Sequence, residues 1–388
     1  MYNKYLLLSL PQSYKNMKYD YLIVGAGLFG ATFAYLAKKV GKTCLVIDQR
    51  NHVGGNLFCE KLEGIVVHKY GSHIFHTNSK KVYDFVTGLV DVHNYCHQPI
   101  ACYKGEVYNL PFNMNTFRQM WNIKTAQEAQ EIIKEQSAGK TLYKNIEEYA
   151  ISMVGRDIYE KLIKGYTEKQ WGMECAKLPA SIIKRIPLRF TYDNSYFNDA
   201  YQFIPDGGYN SLISRLLEGI HVELSTSFQD VKLFWEIYAN KMLYTGRIDS
   251  LFNYQYGELP YRSVKFVHEG KRVANYQGCA VMNFTDSDVP QTRCIEHRFF
   301  EANQNLLPND KTIVTFEYPN GLASKKSDEA YYPINTLENE RLLQKYQNEA
   351  MKYKKIIIGG RLGSYRYHDM DDTILEAMKL AEQELRNF

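Results

Sequence analysis

The 388-residue chain lacks the features that mark several classes of protein. It has no run approaching the ~20 apolar residues that cross a bilayer, so membrane insertion is not expected. Its 47 Lys and Arg nearly balance 43 Asp and Glu, and a net charge of +4 gives no reason to expect a nucleic-acid partner. Only 3 residues are Trp, whereas 32 are Tyr, an apolar ring with a hydrogen-bonding tip.

The cysteines offer neither a disulfide framework nor a metal site. They are scattered, odd in number and without a CxxC spacing: Cys44, Cys59, Cys96, Cys102, Cys175, Cys279 and Cys294. This pattern predicts reduced thiols in a cytoplasmic protein. The spacing of His68, His73 and His76 fits no compact zinc motif, so no metal is expected.

The amino-terminal residues differ in pattern from the rest of the chain. Tyr5 to Leu10 is a short apolar run after Lys4, but no small-residue cleavage site comes after it. We therefore expect residues 1–16 to be a disordered extension, with the fold beginning at about Met17.

The first strong pattern is a dinucleotide-binding unit. Tyr19 to Val24 predicts a buried strand, GAGLFG (residues 25–30) a turn into a helix, and Thr43 to Ile47 a second strand that ends at Asp48. Gly25, Gly27 and Gly30 would allow the tight turn, the approach of the pyrophosphate and close packing of helix on strand. The helix N-terminus would attract phosphate, and Asp48 would hold ribose hydroxyls.

Two further glycine pairs favour FAD over NAD. Gly54-Gly55 follows Asp48 closely, and Gly359-Gly360-Arg361 lies between a predicted strand and a predicted helix. Both resemble the FAD-binding amine oxidases and their relatives. Since the two halves are about 300 residues apart, the cofactor domain is predicted to be discontinuous.

The predicted fold is therefore α/β, with other domains inserted into a Rossmann-like FAD-binding domain. Capping signals at Asn113 and Thr125 predict an inserted helical bundle, and Tyr-rich alternation predicts an antiparallel sheet. The predicted domains are residues 17–90, 206–253 and 335–388 for FAD, 113–184 for the helical bundle with a substrate loop, and 91–112, 185–205 and 254–334 for the antiparallel sheet.

Five longer segments carry the most specific pattern. They are Gly71 to Thr77 (GSHIFHT), Lys164 to Met173 (KGYTEKQWGM), Tyr276 to Asn283 (YQGCAVMN), Asp288 to His297 (DVPQTRCIEH) and Arg361 to Met370 (RLGSYRYHDM). In this order they closely resemble the bacterial UDP-galactopyranose mutase family. The resemblance extends from about Met17 to the C-terminus, although Leu162-Ile163 stands where some members carry two phenylalanines.

This resemblance implies an isomerase that interconverts UDP-galactopyranose and UDP-galactofuranose for galactofuranose-containing cell-surface glycans. It implies that reduced FAD attacks the anomeric carbon through flavin N5, that UDP leaves, and that the ring contracts in the covalent adduct before UDP returns. A cellular flavin reductant and a homodimer are also implied.

The resemblance also assigns roles residue by residue. Arg185, Arg293 and His73 are expected to be catalytic, the arginines by holding the diphosphate and His73 by facing the flavin. The expected substrate-binding set is Thr167, Trp171, Arg185, Tyr196, Asn283, Arg293, Tyr318 and Tyr367. The expected cofactor-binding set is Gly25, Gly27, Phe29, Gly30, Asp48, Gln49, Gly55, Asn56, His73, Ile74, Arg361, Asp369 and Met370.

Within these sets, Tyr196 is expected to stack on uracil, and Tyr318 and Tyr367 to bind the diphosphate. Tyr166 lies in the same motif as Thr167 and is a weaker candidate. Asp369 is equally well interpreted as a helix N-cap.

Two other functions remain open from the sequence. A flavin amine oxidase or desaturase would also explain GAGLFG and GGR, but not the paired arginines. A nucleotide-sugar-binding flavoprotein without activity would explain both the glycine motifs and the paired arginines.

Overall fold

The computed structural model describes residues 18–137, 143–180, 183, 187–323 and 329–385, so the expected extension at residues 1–16 lies outside the described residues. The strands are β1 (Tyr19–Val24), β2 (Cys44–Ile47), β3 (Cys59–Leu62), β4 (Ile65–His68), β5 (Phe75–Thr77), β6 (Val92–Asn94), β7 (Ile100–Tyr103), β8 (Glu106–Asn109), β9 (Tyr201–Pro205), β10 (His221–Glu223), β11 (Ala239–Tyr244), β12 (Tyr261–Lys271), β13 (Val281–Phe284), β14 (Arg293–Glu296), β15 (Thr312–Leu322), β16 (Tyr332–Pro333) and β17 (Ile356–Ile358).

Helices connect and cover these strands. They are α1 (Leu28–Lys39), α2 (Lys80–Thr87), α3 (Met114–Trp121), α4 (Ala126–Ser137), α5 (Ile146–Ile158), α6 (Gly165–Trp171), α7 (Asn210–Leu217), α8 (Phe228–Val231), α9 (Trp235–Tyr238), α10 (Ile248–Leu251), α11 (Leu337–Ala350), α12 (Gly360–Ser364) and α13 (Met370–Leu385). Within the described part of the chain, no helix is both long and apolar enough to cross a membrane.

A five-stranded parallel sheet, in the order β10-β2-β1-β11-β17, forms the first layer. Parallel sheets are buried on both faces, which is why β1 and β2 are almost entirely apolar. Tyr21 and Ile23 of β1 pack in one core with α1, α7 and α13, whereas Leu22 and Val24 pack in another with Phe228 and other residues of α8 and α9. The Rossmann-like sheet is thus assembled from widely separated strands, which confirms the discontinuous fold predicted from the sequence; the domain boundaries stay a prediction.

The second sheet has seven strands in the order β16-β12-β15-β14-β13-β7-β8. Most of its pairs are antiparallel, as predicted, but β13 runs parallel to β7. The predicted antiparallel sheet is therefore confirmed, with one parallel pair that the sequence did not indicate. No short hairpin joins β7 to β13, which are far apart in the chain, so turn geometry does not impose their relative direction.

A third, smaller sheet was not predicted. β9 pairs with β5 and β6 in a separate three-stranded sheet. Of the predicted residues 91–112 only β7 and β8 therefore join the seven-stranded sheet, and β9, the strand described within residues 185–205, does not. Alternation along one strand does not reveal which strand it will pair with, and this assignment needed the tertiary structure.

The inserted helices begin where the capping signals predicted. The Asn113 side chain accepts from the Thr116 amide at 3.3 Å, and the Thr116 hydroxyl accepts from the Asn113 amide at 3.4 Å. Thr125 and Glu128 form the second capping box. α5 bends at Gly155, whose φ is 81°, and a π-helical segment at Tyr159–Lys164 leads into α6. These elements bring α6 onto the seven-stranded sheet.

Several buried histidines predict a pH dependence of stability. Burial lowers the pKa of His68 and of His97 to about 3, and that of His297 well below its ordinary value. Below about pH 6.5 the unfolded chain binds protons that the folded chain does not, so stability is complete above that pH and is lost as the pH falls. As the pH falls between the ordinary and the lowered pKa, each of these histidines reduces the free energy of unfolding by about 1.4 kcal/mol per pH unit.

We therefore expect the urea midpoint of unfolding to be flat between about pH 6.5 and about pH 8 and to fall steadily below that range. Parallel titrations monitored by tryptophan fluorescence would measure this. A midpoint that stays constant down to about pH 4.5 would contradict the neutral, buried state of these histidines.

Candidate active site

Two glycines where β1 turns into α1 have no room for a side chain. Gly25 has a φ of +112°, and a Cβ there would lie 2.1 Å from the Thr245 hydroxyl oxygen. A Cβ on Gly30 would lie 2.1 Å from the Gly25 carbonyl oxygen, so α1 packs directly on the turn. These contacts give physical reasons for the glycines that the sequence pattern singled out.

The other glycine pairs converge on this turn. Gly27 forms a bridge with Gly54, and a Cβ on Gly55 would lie 3.2 Å from the Gly27 Cα. A Cβ on Gly359 would lie 2.4 Å from the Phe29 ring. Three segments that are distant in the sequence thus expose bare backbone in one place, as a dinucleotide requires. Phe29 itself is buried beside Gly359 and Gly360, and its predicted contact with the cofactor stays a prediction.

Asp48 lies at the end of β2, as predicted. Its carboxylate accepts from the Ala26 amide at 2.8 Å and from the Arg50 amide at 2.9 Å, which fixes its position beside the glycine turn. Each oxygen retains a further lone pair for a ribose hydroxyl. Gln49 is exposed at the same edge.

Arg50 supplies a cation beside the glycine turns of the expected cofactor site. The Arg50 guanidinium donates to Asn56 Oδ1 at 3.0 Å and pairs with Glu329 at 2.7 Å. It also lies 4.4 Å from the centroid of the Tyr70 ring. Asn56 is therefore held in place beside the Gly54-Gly55 turn. The three glycine-rich turns, at residues 25–30, 54–55 and 359–360, form a cofactor cradle. This cradle and these polar groups fit a dinucleotide such as FAD.

His73 faces two of the expected arginines. Its Nδ1 atom is buried and has no hydrogen-bond partner within the described residues. Burial, together with the cations Arg361 and Arg293, lowers its pKa to about 4. A neutral imidazole whose nitrogen lacks a partner can form a hydrogen bond with a polar atom at the edge of a ligand. The adjacent Ile74 is buried in the core below.

The segment after the C-terminal glycine pair supplies further groups. Arg361 donates to the Tyr331 carbonyl oxygen at 2.6 Å, and its guanidinium lies 4.9 Å from the Tyr367 ring centroid. Asp369 immediately precedes α13, and its carbonyl oxygen accepts from the Thr373 amide at 3.0 Å. This position suits the N-cap interpretation of Asp369. Met370 begins α13 and packs against the core.

Arg293 is held on the inner face of the seven-stranded sheet. It pairs with buried Glu317 at 3.5 Å, and its Nη2 donates to the Tyr166 hydroxyl at 2.7 Å. Burial opposes the charge, but Glu317, Tyr166 and Tyr332 raise the pKa of Arg293 well above its ordinary value. Burial raises the pKa of Glu317, although Arg293 lowers it. The result is a charged guanidinium in a fixed orientation.

α6 brings the next group of residues to Arg293. Tyr166 contacts Arg293 directly, Thr167 is buried, and Trp171 lies with its ring centroid 6.5 Å from that of Tyr332. Lys169 anchors the helix by donating to three carbonyl oxygens, those of Phe284, Val289 and Gln291, at 2.8–3.1 Å.

The structure brings Tyr332, not Tyr318, into the cluster with Tyr367. Tyr332 stacks on Tyr367 at 5.9 Å and lies near enough to Arg293 for the two groups to influence each other's pKa. Tyr318 follows Glu317 on β15, and side chains alternate across a strand. Since Glu317 faces Arg293, Tyr318 is directed to the opposite face of the sheet.

Two other substrate-binding candidates lie in the same region. Asn283 is directly opposite Arg293 in the β13–β14 pair, which places both side chains on one face. The Tyr196 amide donates to the His97 carbonyl oxygen at 2.8 Å, and the two rings are 5.8 Å apart. Arg185 lies outside the described residues, so its role stays a prediction.

With this geometry in view, comparison with known proteins decides the family. Residues 161–367 match the UDP-galactopyranose mutase family, and residues 23–89 match an NAD(P)-binding Rossmann-like domain. The chain belongs to the UDP-galactopyranose mutase family. The family match covers Arg293, α6 and the Tyr332–Tyr367 pair. The chain is therefore a nucleotide-sugar mutase, an isomerase.

Individual relatives agree with membership of the UDP-galactopyranose mutase family. A probable UDP-galactopyranose mutase of Klebsiella pneumoniae is 39% identical, with 93% of this chain and 94% of the relative covered. A dTDP-fucopyranose mutase of Escherichia coli is 36% identical, with coverage of 94% and 98%. The crystal structure of a reduced UDP-galactopyranose mutase superposes with a TM-score of 0.76 at 16% identity, covering 96% of each chain; this likeness shows the fold.

For this member of the mutase family, the sequence interpretation missed Glu317 and Tyr332, which lie beside Arg293. Tyr331-Tyr332-Pro333 was an available signal, because Pro within a sheet is confined to edge strands and here follows two tyrosines. Charged Glu317 lies between the aromatic residues Phe316 and Tyr318 in β15, which was a second signal.

Within the described residues, no group of three or more His, Cys, Asp or Glu side chains could hold a metal ion.

Proposed function

We propose that this chain is a UDP-galactopyranose mutase that interconverts UDP-α-D-galactopyranose and UDP-α-D-galactofuranose with reduced FAD. The observation that carries the proposal is the fixed, charged Arg293, which lies close enough to His73 and Tyr332 to shift their pKa values. It provides an anion site beside the predicted cofactor cradle. The reaction requires these two features side by side.

The cofactor cradle fits FAD. Gly25, Gly27, Gly55 and Gly360 expose backbone for the pyrophosphate and the flavin edge, while His73 and Arg361 supply polar contacts. When bound and reduced, the flavin supplies the electron pair that attacks the anomeric carbon. The protein's task is then to orient the sugar and to hold the departing nucleotide.

Arg293 performs the second task. As the bond to the anomeric carbon breaks, negative charge grows on the diphosphate, and a preorganised guanidinium stabilises that charge more strongly than water does. Glu317 and Tyr166 prevent the guanidinium from reorienting. UDP is thereby retained until it recombines with the contracted sugar.

The function is tested by chromatography of UDP-galactofuranose after incubation with the holoenzyme. We expect conversion to UDP-galactopyranose by dithionite-reduced enzyme and none by oxidised enzyme. Tight UDP binding without conversion in either state would support a binding protein without activity. Reoxidation kinetics that respond to amines would instead support the amine oxidase alternative.

A second candidate substrate is a dTDP-linked 6-deoxy sugar. The dTDP-fucopyranose mutase relative supports it, because it is nearly as similar to this chain as the probable UDP-galactopyranose mutase. Parallel assays with UDP-galactopyranose and dTDP-fucopyranose would rank the two by kcat/KM. We expect the UDP sugar to be preferred.

The cellular setting proposed from the sequence is a reducing cytoplasm. All seven cysteines are free thiols in the structure. The same setting would supply a reductant for the flavin. The product would be used for galactofuranose-containing surface glycans.

The contrast between Tyr332 and Tyr318 gives a paired prediction. Tyr332→Phe removes a hydroxyl from the arginine cluster and is expected to lower kcat/KM about 10-fold, the usual loss for one hydrogen bond to a charged group. Tyr318→Phe, on the other face of the sheet, is the matched control and should change kcat/KM less than about twofold. The reverse ranking would restore the role that the sequence assigned to Tyr318.

A further inference from the structure

The strand that carries Tyr332 is held by few contacts within its sheet. β16 has only two residues and lies at the edge of the seven-stranded sheet, beside β12. Tyr332 pairs with Arg262 of β12, and the Tyr331 amide donates to the Arg262 carbonyl oxygen at 3.0 Å. Strands of globular proteins usually have at least three residues, so contacts from outside the sheet are needed to fix the position of Tyr332.

Those contacts come from the cofactor side of the molecule. Arg361 donates to the Tyr331 carbonyl oxygen at 2.6 Å, and the Tyr331 hydroxyl donates to Glu329 Oε2 at 2.8 Å. The same carboxylate oxygen accepts from the Arg50 guanidinium at 2.7 Å. Tyr331 is 6% exposed, and burial raises the pKa of its hydroxyl, which therefore remains a protonated donor. Glu329 thus joins Tyr331 to Arg50.

Both arginines border the cofactor cradle. Arg50 also donates to Asn56 Oδ1 at 3.0 Å, beside the Gly54-Gly55 turn. Arg361 directly follows Gly359-Gly360, the C-terminal turn of the cradle. A bound dinucleotide that orders these two turns therefore also orders the short strand β16 on the substrate side.

We propose that Glu329 is a positioning residue that couples the occupied cofactor cradle to Tyr332 in the nucleotide-sugar site. The proposal rests on the proposed function. The Glu329 side chain is 40% exposed, and an ion pair with that exposure contributes little to stability by itself. Its role is to limit the orientations of Tyr331, whose neighbour Tyr332 lies near Arg293. Because coupling between two ligands is reciprocal, a nucleotide that holds Tyr332 also tightens binding of the cofactor.

The test measures the dissociation constant of FAD with and without saturating UDP or dTDP. The oxidised holoenzyme is diluted in steps, and the fluorescence of released FAD gives the dissociation constant in each condition. We expect the nucleotide to tighten FAD binding to the wild-type protein by about fivefold or more. In Glu329→Ala and in Tyr331→Phe this factor should fall below about twofold, and the double variant should fall no further, because both residues act through one connection. Glu329→Gln keeps an oxygen that can accept and should retain an intermediate factor.

Glu349 provides a matched control outside the cofactor cradle. It accepts from the Tyr256 hydroxyl at 2.7 Å and pairs with Lys352 at 2.7 Å, the same kinds of contact that Glu329 makes. Glu349→Ala should therefore keep the wild-type factor. Because the nucleotide is saturating, a variant that only weakens nucleotide binding also keeps it. If Glu329→Ala retains the full factor, or if neither nucleotide tightens FAD binding to the wild-type protein, the coupling role is overturned.

Turnover of UDP-galactofuranose is measured separately on the wild-type enzyme. A chain that binds nucleotide but converts no nucleotide sugar would contradict the proposed function, whereas the FAD measurements would still decide whether Glu329 couples the two sites.

Discussion

Arg293→Ala is expected to lower kcat/KM for UDP-galactopyranose by about 10²- to 10³-fold, the range for removing one preorganised electrostatic contact. The guanidinium is held in one orientation by an ion pair with Glu317 at 3.5 Å and by a hydrogen bond to the Tyr166 hydroxyl at 2.7 Å. It can therefore bind the diphosphate without reorienting. Because the charge on the diphosphate grows as UDP departs, kcat should fall more than KM rises. Steady-state kinetics of the dithionite-reduced holoenzyme would measure both.

The same substitution also leaves the buried Glu317 carboxylate without its cation, which could lower activity through unfolding. The double variant Arg293→Ala/Glu317→Gln separates the two effects. We expect it to regain resistance to urea relative to Arg293→Ala while activity stays low. Recovery of kcat/KM in the double variant would contradict the electrostatic role. It would show that Arg293 supports activity only by stabilising the fold.

Gly30→Ala is expected to abolish flavin retention. Its Cβ would lie 2.1 Å from the Gly25 carbonyl oxygen, a backbone atom that cannot rotate away, and 3.1 Å from Cγ2 of Ile23. α1 would have to move away from β1, which displaces the helix N-terminus from the phosphates. The flavin absorbance per chain of the purified protein should fall to less than about one tenth of the wild-type value, which is a loss of at least tenfold in affinity.

Gly270→Ala is the matched control, because its Cβ would meet its nearest atoms at an ordinary 3.8 Å and its φ lies outside the left-handed region. It should retain flavin fully. Equal flavin content in Gly30→Ala and Gly270→Ala would show that helix α1 can shift without loss of the cofactor site.

The local features of this protein could be predicted from the sequence. The apolar run before GAGLFG, the acid at the end of β2 and the capping residues Asn113 and Thr125 all specify structure through neighbouring backbone atoms. Such interactions span a few residues, so they can be interpreted without knowing the rest of the fold.

Long-range relations could not be predicted in this way. The parallel pairing of β13 with β7 and the separate sheet around β9 depend on which strands meet, and each strand alone suits several partners. Tyr318 and Tyr332 illustrate the consequence for the site. Both are tyrosines within strands of the same sheet, and only the register with Glu317 and Arg262 distinguishes the two faces.

By itself, the sequence determined the Rossmann-like unit and the family resemblance, because both reside in contiguous motifs whose chemistry is local. The tertiary structure decided which charged groups share one face: Arg293 with its buried Glu317, and Arg262 without an acid among the described residues. Whether a cation has an acidic partner within the protein depends on side chains from separate strands, and only folding brings those strands together.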